Sequence, residues 1–212
     1  MVGPADFNDL LRGCSLYRQR EPREAAYRVA THIVSKSWGN VSHVVDGIST
    51  LLWAWIVWAR FDSLGLERFV TERHSLLDDF RTRDIEQFTP DDEPVIARLL
   101  RELLAIDGIG LVSASKILHL LAPSYFALWD ENIVDAYGCQ WRYEVFMQQI
   151  QEVSERLLGS YMEELGVKKN VARKNLVHLG RDSHGIVVRK SLVKLIDEYN
   201  YATYTLPRLR RR

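Results

Sequence analysis

Between two stretches of helical apolar spacing the chain leaves only Asp107-Gly108-Ile109-Gly110 in which to turn. Upstream, Leu99, Leu100, Leu103, Leu104 and Ile106 recur at helical intervals; downstream, Leu111, Ala114, Ile117, Leu118 and Leu121 do the same. Pro123 closes the second helix, because its ring fits poorly inside one. The pattern is two helices joined by a very short glycine hairpin. Glycine accepts the positive φ that such a turn requires. The second glycine also removes the side chain where the next helix begins. Backbone N–H groups are then left at the positive end of the helix dipole, a place that suits a phosphate. Gly-x-Gly also serves many helical hairpins purely as a turn, and the spacing alone does not choose between these readings.

Further along stands Trp129-Asp130-Glu131-Asn132-Ile133-Val134, which reads as the opening of another helix. Together with the hairpin it resembles the helix-hairpin-helix base-excision DNA glycosylase superfamily. That family carries a Leu-x-Gly-hydrophobic-Gly-x-x-x-Ala hairpin, followed by an Asp that begins a helix. Ile106, Gly108, Ile109, Gly110 and Ala114 match the hairpin, and Asp130 falls where the family's catalytic Asp stands. The resemblance is specific over Leu103 to Tyr137, about 35 residues, and only topological elsewhere. It implies double-stranded DNA as partner, with Gly108, Ile109, Gly110, Val112, Ser113 and Lys116 facing the DNA backbone. It implies no cofactor, leaving room only for a monovalent cation at the hairpin.

Val112 stands where bifunctional members carry a Schiff-base lysine, and valine cannot form an imine. Lys116 lies one helical turn on and reads as a phosphate contact or a solvated residue. The implied activity is therefore monofunctional hydrolysis of the N-glycosidic bond of a damaged or mispaired base. Asp130 would activate water or stabilise the positive charge that builds on the sugar. Asp is also among the best helix N-caps, so Asp130 has a structural reading as well. The family's Thr-His after the Asp is replaced here by Glu131-Asn132.

No strand pattern or internal repeat emerges along the chain, so the expected fold is all-α. The resemblance suggests a helical bundle of two lobes with the hairpin at the cleft. Residues of about 40–135 would form the hairpin lobe, and 1–39 with 136–212 a second, basic lobe. Met1 to Gly13 reads as a short helix or an ordered arm. Glu21-Pro22 opens a helix to about Trp38, and Asn40 caps another that runs through Arg60. Leu64 to Phe80 is amphipathic, and Pro90 starts the helix that leads into the hairpin. Tyr143 to Leu165 is one long helix ended by Gly166; Val171 to Leu179 and Val187 to Tyr199 come after it. Tyr201 to Leu206 reads as an extended segment packing back on the body.

The helix from Asn40 is apolar nearly all round and carries Trp53, Trp55 and Trp58. Core packing is the first reading of such tryptophans. Trp53 and Trp129 are the candidates for an aromatic that stacks on an extruded base, with Asp46 as a polar candidate for the same pocket.

The formal net charge is zero, yet from Lys168 onward 12 basic residues face 3 acidic ones. Such a segment can anchor a phosphate backbone, form a solvated face, or dock on the chain's own acidic half. The most apolar run, Leu51 to Ala59, is far shorter than the roughly 20 residues a bilayer crossing takes. Two cysteines exclude a disulfide-rich scaffold and a four-cysteine iron–sulfur cluster. No signal-peptide pattern is evident, and a cytoplasmic setting, nucleoid-associated if DNA is bound, is the expectation. The six histidines form no ligand cluster in sequence, and Asp182-Ser183-His184 are too close together to build a triad. Three classes of function remain: a glycosylase, a non-catalytic DNA-binding protein, and a helical interaction protein whose hairpin is only a turn.

Overall fold

The computed structural model describes residues 2–56, 60–178 and 190–209. The described residues contain helices and turns and no strand, as expected of an all-α chain. They fall into two compact units: Pro22–Asp84 with Thr89–Phe126, and 1–21 with Ile85–Phe88 and 127–212.

The unit that carries the glycine turn is built from α2 (Glu24–Lys36), α3 (Val41–Trp55), α4 (Ser63–Arg81), α5 (Glu93–Leu104) and α6 (Leu111–Leu121). Asn40 caps α3 by accepting from the His43 N–H. Helices α2 and α3 approach so closely that a Cβ on Gly47 would lie 2.8 Å from Val34 Cγ2. That contact packs α2 against α3 within this unit, which takes in the chain from Pro22. Helix α3 stops at Trp55, because Ile56 is extended; Trp58 lies outside the described residues. Thr89 and Asp92 form a capping box ahead of α5, and Arg83 adds two bonds of 2.7 Å to the Asp92 carboxylate. Burial pushes that carboxyl up, but the bonds from Arg83 and Thr89 outweigh it and hold it at about 2.

His119 on α6 is fully buried and satisfied on both ring nitrogens. Nδ1 lies 2.7 Å from the Phe126 carbonyl, which can only accept, so Nδ1 carries the proton. Nε2 then accepts from the Tyr27 hydroxyl at 2.9 Å. His119 thus ties α2 to the chain leaving α6, as core histidines do.

The other unit contains α1 (Phe7–Arg20), α7 (Glu131–Tyr137), α8 (Tyr143–Leu165), α9 (Lys169–His178), α10 (Leu192–Asn200) and the short α11 (Leu206–Leu209). The first expectation to fail is at Gly13, which does not end α1. A Cβ there would sit 2.4 Å from the Tyr199 ring, so this glycine is where α10 packs against α1. Gly138 and Gly166 close α7 and α8 with φ of 63° and 62°, the left-handed stop that glycine permits. Trp129 is buried against Tyr143, Trp141 and Phe146, with ring centroids 4.9, 5.5 and 5.6 Å away. Ile85–Phe88 belongs here because Gln151 on α8 donates to the Phe88 carbonyl and Glu86 pairs with Arg173 on α9 at 2.5 Å.

The C-terminal expectation is also corrected. Tyr201–Thr205 does not extend; it continues α10 as a π-helical turn, and the Leu206 N–H closes it on the Tyr201 carbonyl. Ser191 caps α10 by accepting from the Lys194 N–H, so the helix begins at Leu192, later than expected.

Candidate functional site

Gly108 has a φ of +80° and is exposed, yet it is also a contact point. A Cβ added there would fall 1.8 Å from the Arg60 carbonyl oxygen. Beside it, the Asp62 N–H donates to the Asp107 carbonyl at 3.0 Å. The turn is therefore pinned against residues 60–62, and Gly108 is needed for that packing whatever else it does. Ile109 is buried and closes the turn, its N–H bonded to the Ile106 carbonyl.

Gly110 differs. It is extended, exposed, and a Cβ there would meet nothing within 4 Å. It gives α6 no side-chain cap, and the first helical bond runs from the Ala114 N–H to the Gly110 carbonyl at 2.8 Å. The N–H groups of Val112 and Ser113 precede that bond and have no acceptor within the helix. Val112 is half-buried, whereas Ser113 is mostly inside. Lys116 lies over the Trp55 ring, 5.8 Å from its centroid, one turn along α6.

Charges around the turn are mixed. Arg60, whose carbonyl meets Gly108, and Arg68, which pairs with Asp62 at 3.6 Å, are exposed and are not among the residues singled out from the sequence. A shallow cavity beside it is lined by Asp62, Arg68, Arg73, Glu102 and Ile106. Arg73 grips Glu102 with two 2.7 Å bonds and holds its carboxyl below the usual range. Asp46 and Trp53 both stand exposed on α3, seven residues apart and hence on one face.

Asp130 and Trp129 belong to the other unit. Asp130 is the N-cap of α7, half-buried; Oδ1 accepts from the Ile133 N–H at 2.9 Å. Oδ2 accepts from the Thr205 hydroxyl at 2.7 Å. Arg208 reaches Asn132 Oδ1 and Asp135 Oδ2 at 3.1 and 3.0 Å, so the chain after α10 is tied to α7. Thr205 carries no signal in the sequence, because its position depends on the π turn. Trp129 is 1% exposed and lies in the aromatic core rather than at an opening.

Among the described residues, four basic side chains of the C-terminal segment are held in ion pairs. Lys190 pairs with Glu198 and Lys194 with Asp197, each at 2.6 Å, and both lysines are buried. Arg173 is on Glu86 and Arg208 on Asp135. Arg173 and Arg208 thus dock on the part of the chain before Lys168, whereas Lys190 and Lys194 pair with acids of the basic segment itself. Lys168 and Lys169 remain exposed at the start of α9. Arg181, Arg189 and Arg210 to Arg212 lie outside the described residues, as do Asp182, Ser183 and His184.

Among the described residues no three His, Cys, Asp or Glu side chains gather as a metal site would need. No described helix is long and apolar enough to cross a membrane. Comparison with protein-family models, curated proteins and solved structures finds no match.

Proposed function

We propose that this chain binds duplex DNA through the Gly108–Gly110 hairpin and hydrolyses the N-glycosidic bond of a damaged or mispaired base, with Asp130 as the working carboxylate. The observation that carries the DNA-binding half is the bare start of α6. Gly110 is exposed, uncapped and surrounded by open space, so a phosphate oxygen can approach the backbone N–H groups after it. Gly108, Ile109, Gly110, Val112 and Lys116 are the contacts assigned to this role. Ser113 would contribute through its N–H rather than its largely buried hydroxyl. In the same reading the two units are the two lobes of the resembled architecture. Val112 keeps the reaction monofunctional, because no amine stands there to trap the sugar.

The catalytic half rests on Asp130. Its carboxylate accepts one bond on each oxygen, and an ionised carboxylate has about four acceptor positions. Two remain for a water or for the cationic sugar. A second reading is favoured by those same bonds: Asp130 is a cap, and the chain binds DNA without acting on it.

The test is base release from duplexes each carrying one lesion: an oxidised purine, an oxidised pyrimidine, an alkylated base, uracil, or a mismatch. Alkali reveals abasic product, and Asp130→Asn runs in parallel. Release that disappears in Asp130→Asn supports the full proposal. Salt-dependent binding by both proteins without release leaves the binding reading standing. Absence of both reduces the hairpin to a turn. Strand cleavage without alkali would contradict the role given to Val112.

A further inference from the structure

The helix α10 does not end where its α geometry ends. From Tyr201 to Thr205 it widens into a π turn, closed by the Leu206 N–H on the Tyr201 carbonyl. Such i→i+5 bonding admits an extra residue per turn, so the next side chains face a different direction from the one α spacing would give. The side chain turned toward α7 is that of Thr205, 5% exposed, with its hydroxyl donating to Asp130 Oδ2 at 2.7 Å. Arg208 then binds Asn132 and Asp135, so the same segment holds the body of α7 as well as its cap.

We propose that Thr205 is a positioning residue for the Asp130 carboxylate, delivered by the π turn. The inference rests on the reading of Asp130 as the working carboxylate. An N-cap aspartate held only by the Ile133 N–H has one oxygen fixed, and its carboxylate plane can rotate about the bond to Cβ. With a donor on each oxygen that rotation is stopped. The two unused acceptor positions then keep one direction, which is what a group opposing a developing positive charge requires. Valine at 205 would fill the same space and supply no donor; serine would supply the donor without the methyl group.

The experiment compares the parent, Thr205→Val, Thr205→Ser and Asp130→Asn on the same single-lesion duplexes. Single-turnover base release, DNA affinity and amide exchange at Ile133 are measured for each. The expected result for Thr205→Val is base release slowed about 10- to 100-fold at unchanged DNA affinity, the worth of one hydrogen bond to a charged group. Thr205→Ser returns release to within about threefold of the parent, on the same scale of one retained bond. A parental rate in Thr205→Val, or a loss that serine fails to restore, overturns the proposal. If the parent releases no base from any duplex, the glycosylase reading fails separately, and Ile133 decides the geometry. Faster Ile133 exchange in Thr205→Val but not in Thr205→Ser then supports the hold on the carboxylate. Equal exchange in all three overturns it.

Discussion

Replacing Gly108 by alanine meets two obstacles that can be separated. The first is the backbone: a φ of +80° costs an L side chain about 1–2 kcal/mol. The second is space. The new Cβ would fall 1.8 Å from the Arg60 carbonyl oxygen and 2.8 Å from Phe61 Cα, and both are backbone atoms that cannot swing aside. The turn must move off residues 60–62, and the bond from the Asp62 N–H to the Asp107 carbonyl is lost, about 1 kcal/mol more. The expected loss is about 3 kcal/mol, measured from urea unfolding of the parent and Gly108→Ala side by side. Gly108→Asn divides the cost. Asparagine tolerates positive φ better than alanine, so it relieves the first obstacle and leaves the second. It should still lose about 2 kcal/mol, since the contact and the bond remain broken. Gly110→Ala is the control: its site is open, and only the cap preference of glycine over alanine is lost, about 0.5–1 kcal/mol. Gly108→Ala matching Gly110→Ala would refute the argument, and Gly108→Asn matching the parent would show that φ alone mattered.

Two other predictions concern buried charge. Lys194→Ala strands Asp197 without its close cation in a dry setting and should cost about 3–5 kcal/mol in unfolding free energy, whereas Lys169→Ala on the surface should change it by less than about 0.5. Equal effects of the two would mean Lys194 is not inside. Asp92, held at about 2 against an ordinary value of 3.8, adds stability that is complete above the unfolded value and lost as pH falls through the folded one. Its size is about 2 kcal/mol. Unfolding midpoints between pH 5 and 2 should therefore fall less steeply in Asp92→Asn than in the parent, and parallel curves would count against the Arg83 bond.

Much of the helical layout is legible because caps are local chemistry. Asn40, Asp130, Gly138 and Gly166 each begin or end a helix through their own side chain or their own φ, and neighbours a few residues away suffice to show it. Gly13 misleads because its reason is Tyr199, far along the chain. The aromatic Tyr201 to Thr205 run suits an extended strand or a widened helix equally; only docking against α7 separates them. At the candidate site, the glycine turn can be read because its spacing is short. The direction of Lys190 and Lys194 cannot: a run of basic residues has a sign but no facing, and these two turn inward to Glu198 and Asp197. Trp129 shows the same limit, since an aromatic beside a candidate carboxylate looks the same in sequence whether it lines an opening or a core.

The division of the chain also bears on its synthesis. It passes from one unit to the other at residues 21, 84, 88 and 126, so neither unit is an uninterrupted stretch. Helix α1 is made before the helices it packs against, and the carbonyl that accepts its Cys14 thiol belongs to Leu195, 181 residues later. The segment from Pro22 to Phe126 contains one whole unit, interrupted only by Ile85–Phe88 of the other, and can collapse while translation continues. Helix α1 must wait, its inner face of Leu10, Cys14 and Tyr17 bare for the interval. At about 5–20 residues per second that interval lasts on the order of 10–40 seconds, a window in which a chaperone would find the inner face of α1 exposed.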